Sequence, residues 1–178
     1  MTRRLGSLAS VVLACVMLCA CTATTKASPS AFLADLRPLA GEIPKYSAAM
    51  SQPYAPRVTG RGVAAVHEAV MSNPYRTESA DTWTPADIWT GGGDCEDFAL
   101  AAIRELKAQG IGDTYLMVMK HPTRGAHAVA VVREGESLTV LDVQRDTPAD
   151  LGSVLREWTP AYLIETKTGR VLVEREPS

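Results

Sequence analysis

Between residues 96 and 110 the apolar side chains Phe98, Ala99, Ala102, Ile103 and Leu106 recur at three- and four-residue intervals, with Arg104, Glu105 and Lys107 off that stripe and Gly110 beyond it. That period predicts an amphipathic helix, with Asp94 as its N-cap and Asp97 three residues on, as a capping box requires. Val63, Val66, Val70 and Met71 predict a shorter helix within 61–72, ending before Asn73-Pro74 because a residue that precedes proline avoids the helical region. Past residue 113 the pattern turns to short β-branched and aromatic runs: 114–120, 127–133, 137–143, and a hairpin from 161–166 through Lys167-Thr168-Gly169 to 170–175. A helix followed by an antiparallel sheet is an α+β arrangement. The prolines at 44, 53 and 56 predict an extended lead-in over 44–56, Thr84-Pro85 opens a helical turn, and the glycines at 91–93 read as a flexible bend.

The first residues follow another logic. Arg3 and Arg4 precede an apolar run, Leu8 to Ala20, that is too short to span a bilayer, so residues 1–20 read as a secretory signal. Leu18-Cys19-Ala20-Cys21 has lipoprotein-box spacing, which predicts cleavage before Cys21 and its lipidation; the alternative is a plainly secreted domain. Residues 21–43 then form the lipidated Cys with a small polar tether and lead-in, and 44–178 the functional domain, exported to the periplasmic face of a bacterial membrane. No other stretch is apolar enough to span a membrane.

Charge narrows the partners. The formal net charge of the 178-residue chain is −2, and removing residues 1–20 takes away two arginines and no acid, so the mature chain is not a nucleic-acid binder by charge. Of four cysteines, only Cys95 lies beyond residue 21, an unpaired thiol in an exported protein.

Cys95 falls in the first turn of the predicted helix, where unpaired backbone N–H groups favour a thiolate and can face a developing oxyanion. A two-residue loop at Glu134-Gly135 would pair Arg133 with Glu136 and make His127 and Asp142 direct cross-strand neighbours, a carboxylate orienting an imidazole. Their face continues through Val129, Val131, Leu138 and Val140. Cys, His and Asp would then occupy triad positions, nucleophile on the helix and base with its orienter on the sheet packed against it. Each residue also has a plainer role: Cys95 as a small buried hydrophobe, His127 as a strand-end surface residue. His121 reads as a loop residue and His67 as part of its helix's solvated face. Asp94, Glu96 and Asp97 oppose thiolate formation, so a divalent cation, calcium by its preference for hard oxygens, would offset them; otherwise they simply cap the helix. No H-E-x-x-H or paired Cys/His favours zinc, and the glycine triplet lacks the Lys-Ser/Thr of a phosphate loop.

Taken together, Trp83-Thr84-Pro85, Gly93 to Phe98, Leu106, Gly110, His127-Ala128-Val129 and Leu141-Asp142 resemble the bacterial transglutaminase-like cysteine proteinases, the family of the LapG-type periplasmic proteases. The resemblance covers roughly residues 61–145. It implies a papain-like or transglutaminase-like fold with Cys95 as nucleophile, His127 as base and Asp142 as orienter. It also implies calcium near the nucleophile at Asp94 and Glu96, with Tyr75, Asp81 and Trp83 lining the site. Val143 stands where many members have Asn, the lysine often found after the nucleophile is missing, and the chain is short.

The expected activity is therefore a cell-envelope cysteine endopeptidase acting on a protein or peptide substrate through a thioester acyl-enzyme, assisted by calcium and held at the membrane by a lipid anchor. The alternatives are acyl transfer to an amine and a lipid-anchored binding module without turnover. The substrate and any regulatory envelope partner are not specified by these residues.

Overall fold

The computed structural model describes residues 29–41, 43–78 and 82–174; the signal sequence, Cys21 and Asp81 lie outside them. In chain order the elements are α1 (Pro29–Ala34), β1 (Leu36–Leu39), α2 (Pro44–Ser51), α3 (Val63–Met71), a 3-10 turn (Asp87–Trp89), α4 (Cys95–Ala108), β2 (Thr114–His121), β3 (Gly125–Glu134), β4 (Ser137–Leu141), β5 (Ala149–Asp150), α5 (Leu151–Val154), β6 (Thr159–Glu165) and β7 (Arg170–Glu174). The strands make one antiparallel sheet in the order β1-β7-β6-β2-β3-β4-β5. No described helix is long and apolar enough to cross a membrane.

Two layers of side chains cover the sheet. On one face the α4 stripe, with Phe98, Ile103 and Leu106 fully buried, packs with Leu116, Ala128, Ala130, Val132, Leu141 and Ile164. On the other, Met117, Met119, Val129, Val131, Val140 and Leu163 pack with Leu151, Val154 and Trp158. A strand buried on both faces reads as a continuous apolar run, which is why Ala128 to Val132 showed no alternation. Burying each large side chain contributes on the order of 1.5–3 kcal/mol, so this sandwich dominates the stability.

Several readings need correction. Residues 44–51 are helical, because Pro44 sits at the first helical position, where its missing N–H costs nothing, while Tyr46 and Ala49 are buried. Within the stretch expected as tether and lead-in, residues 29–41 contain α1 and β1, and β1 pairs with β7. The polar residues of α4 that fell off its apolar stripe do not simply face water. Arg104 donates to the carbonyls of Ala49, Met50 and Gln52, and Glu105, fully buried, accepts from the Tyr54 hydroxyl and the amides of Arg57 and Val58. They strap the chain between α2 and α3 onto α4.

Candidate active site

The cysteine sits where its sequence put it. Asp94 caps α4, the capping box with Asp97 is formed, and Cys95 is the first helical residue, half-buried. Asp97 is fully buried and does double work, accepting from the Thr84 amide at 2.5 Å and the Asp94 amide at 3.3 Å. The preceding glycines are not merely flexible. A Cβ at Gly92, which has φ +83°, would strike the Pro74 carbonyl, and one at Gly93 would strike Asp97. Glycine thus lets the 74–76 segment lie against the start of the helix, with the Arg76 amide donating to Gly93 O at 2.8 Å.

His127 and Asp142 meet, but by a different register. The loop is Gly135-Glu136, Glu134 pairs with Ser137, and β4 ends at Leu141 opposite Ala130, so Asp142 is a diagonal rather than a direct neighbour of His127. The slip is of two residues, which preserves the face because side chains alternate with period two. His127 Nε2 and Asp142 Oδ1 lie 2.7 Å apart with both side chains 2% exposed. Burial works against the Asp142 carboxylate, but the His127 hydrogen bond, the Gln144 amide and the Arg145 guanidinium hold it below the usual carboxylate range. α4 packs on the sheet as expected, but on the face opposite the one that His127 shares with Val129 and Val131, which is covered by Trp158 and α5. The Trp158 ring lies against His127, tilted by 34° with centroids 5.1 Å apart.

The thiol meets the sheet at the strand that carries His127. Cys95 Sγ lies by the backbone N–H of Ala128, the residue after His127, where β3 has run past the end of β4. Its hydrogen bond goes to Glu96 Oε2 at 2.8 Å. Burial, then that bond and the negative charge of Glu96, push the thiol well above its ordinary range, so in this arrangement the acidic neighbours outweigh the helix terminus. Asp94 is pushed up to about 7, and Asp97 to about 6, by burial and neighbouring carboxylates. Asp94 Oδ1 and Thr84 Oγ1 are buried without a hydrogen-bond partner. Crowded carboxylates and orphaned hard oxygens suit calcium in donor chemistry, although among the described residues no three His, Cys, Asp or Glu side chains converge as a metal cluster.

Tyr75, half exposed, stacks on Phe98 at 6.3 Å and has Cys95, Asp94 and Glu96 as its charged neighbours, which places it at the mouth of the site. Trp83 is instead a core residue, its carbonyl accepting from Gln52 Nε2 at 3.1 Å. Sequence reasoning missed two residues. His67, read as solvated, is 2% exposed, its Nε2 lacks a partner, and its imidazole neighbours the Asp142 backbone. The only sequence signal for it was its place next to Val66, four residues after Val63 and three before Val70, on the apolar stripe of the helix. For Trp158, 31 positions beyond His127 in a polar stretch, local sequence held no signal.

Comparison with known proteins bears on the fold and the family. Among solved structures the chain is similar to Legionella pneumophila LapG in its calcium-bound form, at 25% identity and a TM-score of 0.50, covering 57% of this chain and 62% of that one. The EGTA-treated form of LapG matches with the same identity and score, over 57% and 60%. The chain thus spans less than two thirds of LapG. No curated protein matches it. The model of the bacterial transglutaminase-like cysteine proteinases matches residues 55–151, from the strap ahead of α3 to the start of α5 and across Cys95, His127 and Asp142, and the chain belongs to that family.

Proposed function

We propose that this chain is a cysteine endopeptidase of the cell envelope, with Cys95 as nucleophile, His127 as general base and Asp142 as the group that orients it. The observation that carries the reading is the buried 2.7 Å His127–Asp142 pair, adjoining the one amide that the Cys95 thiol approaches. His127 commits Nε2 to Asp142, so Nδ1 is the nitrogen left for the thiol proton. The thiolate attacks a peptide carbonyl, His127 returns the proton to the departing amine, and water activated by the same imidazole releases the acyl group. The Ala128 N–H, beside the sulfur, is a candidate donor to the oxyanion. Asp94 and Glu96 would hold calcium, a reading supported by the buried, unpartnered Asp94 Oδ1 and by a calcium-bound relative. When bound, the ion supplies positive charge that offsets the carboxylates around the thiol. Cys21 would carry the lipid anchor.

The Cys95–Glu96 hydrogen bond favours a second reading, a tethered binding module without turnover. Alkylation of Cys95 separates the two. As a peptidase, the calcium-loaded chain labels rapidly well below the free-thiol pKa of about 8.5, and loses that labelling in His127→Ala and in chelator. Slow labelling in every case, only above that pH, would favour the binding module.

A further inference from the structure

Next to the two groups that contact the His127 imidazole, Asp142 and Trp158, lies a cavity of about 180 Å³ that they line together with Arg124, Gln144, Arg145 and Glu157. Its volume suits a single side chain. Its inner wall belongs to the site already described, since Asp142 bonds His127 and the Trp158 ring lies against the imidazole. Its rim is charged. The Arg124 guanidinium lies 4.5 Å over the Trp158 ring, and one carboxylate, Glu157, serves both Arg124 at 3.4 Å and Arg145 at 3.2 Å. Arg145 also reaches Asp142 Oδ2 at 3.5 Å.

These rim pairs are exchangeable. Arg124 is 44% exposed and Glu157 49%, and ion pairs so open to water are individually weak. The Glu157 side chain can swing into solvent at little cost, leaving two guanidinium groups facing one cavity. Asp142 spends Oδ1 on His127 and the Gln144 amide and turns Oδ2 to Arg145, so part of the Arg145 charge is already used and Arg124 is the guanidinium that departure of Glu157 frees most fully.

The direction of the chemistry places the pocket. Cys95 lies on the α4 face of the sheet, by the Ala128 amide, whereas this cavity is walled by Asp142 and Trp158, two groups that contact the imidazole on the other face, and in acyl transfer the imidazole hands its proton to the departing amine while the acyl half stays on sulfur. A pocket on the imidazole side therefore serves the leaving half of the substrate. We propose that Arg124 and Arg145 form a specificity pocket for an acidic side chain, Asp or Glu, in the first positions C-terminal to the scissile bond, with Glu157 occupying it in the absence of substrate. The inference rests on the peptidase reading above.

The test uses the full chain with calcium and a proteome-derived peptide mixture, with the new termini sequenced by mass spectrometry. Wild type should enrich Asp and Glu within three positions after the cut. Arg124→Gln should reduce that preference roughly three- to tenfold, as loss of one partly exposed charge contact. Glu157→Gln should sharpen it, because the internal competitor is gone. On a matched peptide pair differing by Glu→Gln after the cut, both effects should appear in KM rather than kcat. Cys95-dependent cleavage without acidic enrichment, or with both variants shifting the preference in the same direction, would overturn the pocket and leave the peptidase reading intact. A pattern identical in wild type and Cys95→Ala would overturn both.

Discussion

Asp142 shows how one residue couples stability to the site. Its folded pKa is depressed, so the stability it contributes is complete above the unfolded carboxylate value of about 3.9 and is lost as pH falls through its lower folded value. Asp142→Asn removes that charge-assisted hydrogen bond, and we expect it to lose about 2 kcal/mol at pH 7. The difference from wild type should shrink towards pH 3 in urea-unfolding curves; a difference constant across that window would mean that Asp142 is not held ionised by its partners. Cys95 illustrates the opposite sign, since burial and Glu96 raise its thiol against the effect of the helix terminus.

At the scale of the element, α4 begins at Cys95 and its first turn depends on the cap. Asp97 holds the Asp94 amide on one oxygen and the Thr84 amide on the other, joining the helix start to the segment that contains Trp83. Asp97→Ala strands two part-buried donors as well as the cap, and should cost about 2 kcal/mol by thermal unfolding. Asp97→Asn retains acceptor capacity and should cost less. Equal effects of the two would show that charge, not hydrogen bonding, is what Asp97 supplies.

In the whole molecule, the helix is held between a sheet and a strap. Phe98, Ile103 and Leu106 face the sheet, while Arg104 and Glu105 gather the chain from Ala49 to Val58 on the outer side. Glu105→Ala leaves the Tyr54 hydroxyl and two backbone amides without their acceptor. We expect a loss of about 3 kcal/mol and faster proteolysis within residues 52–62, read by limited digestion; unchanged digestion there would show that the strap is held by packing alone.

What the sequence by itself determined was what local physics controls. The 3.6-residue period, the Asp94/Asp97 box and the strand runs after residue 113 located α4 and five of the strands, and with them Cys95 at a helix start. The parity of His127 and Asp142 was also legible, because a strand alternates with period two and a slip of two leaves faces unchanged. Tertiary structure alone decided the rest. The loop at Gly135-Glu136 set a diagonal contact, since two adjacent two-residue turns are indistinguishable from hydrophobic pattern. Burial on both faces hid which side α4 would cover, so Val129 and Val131 face Trp158 and not the helix. His67 became buried, and Arg104 and Glu105 became straps, because only the folded chain brings residues 49–58 and Asp142 beside them. Contacts between residues far apart in the chain have no period to read, and it is those contacts that join the imidazole to its carboxylate and bring the thiol beside the Ala128 amide.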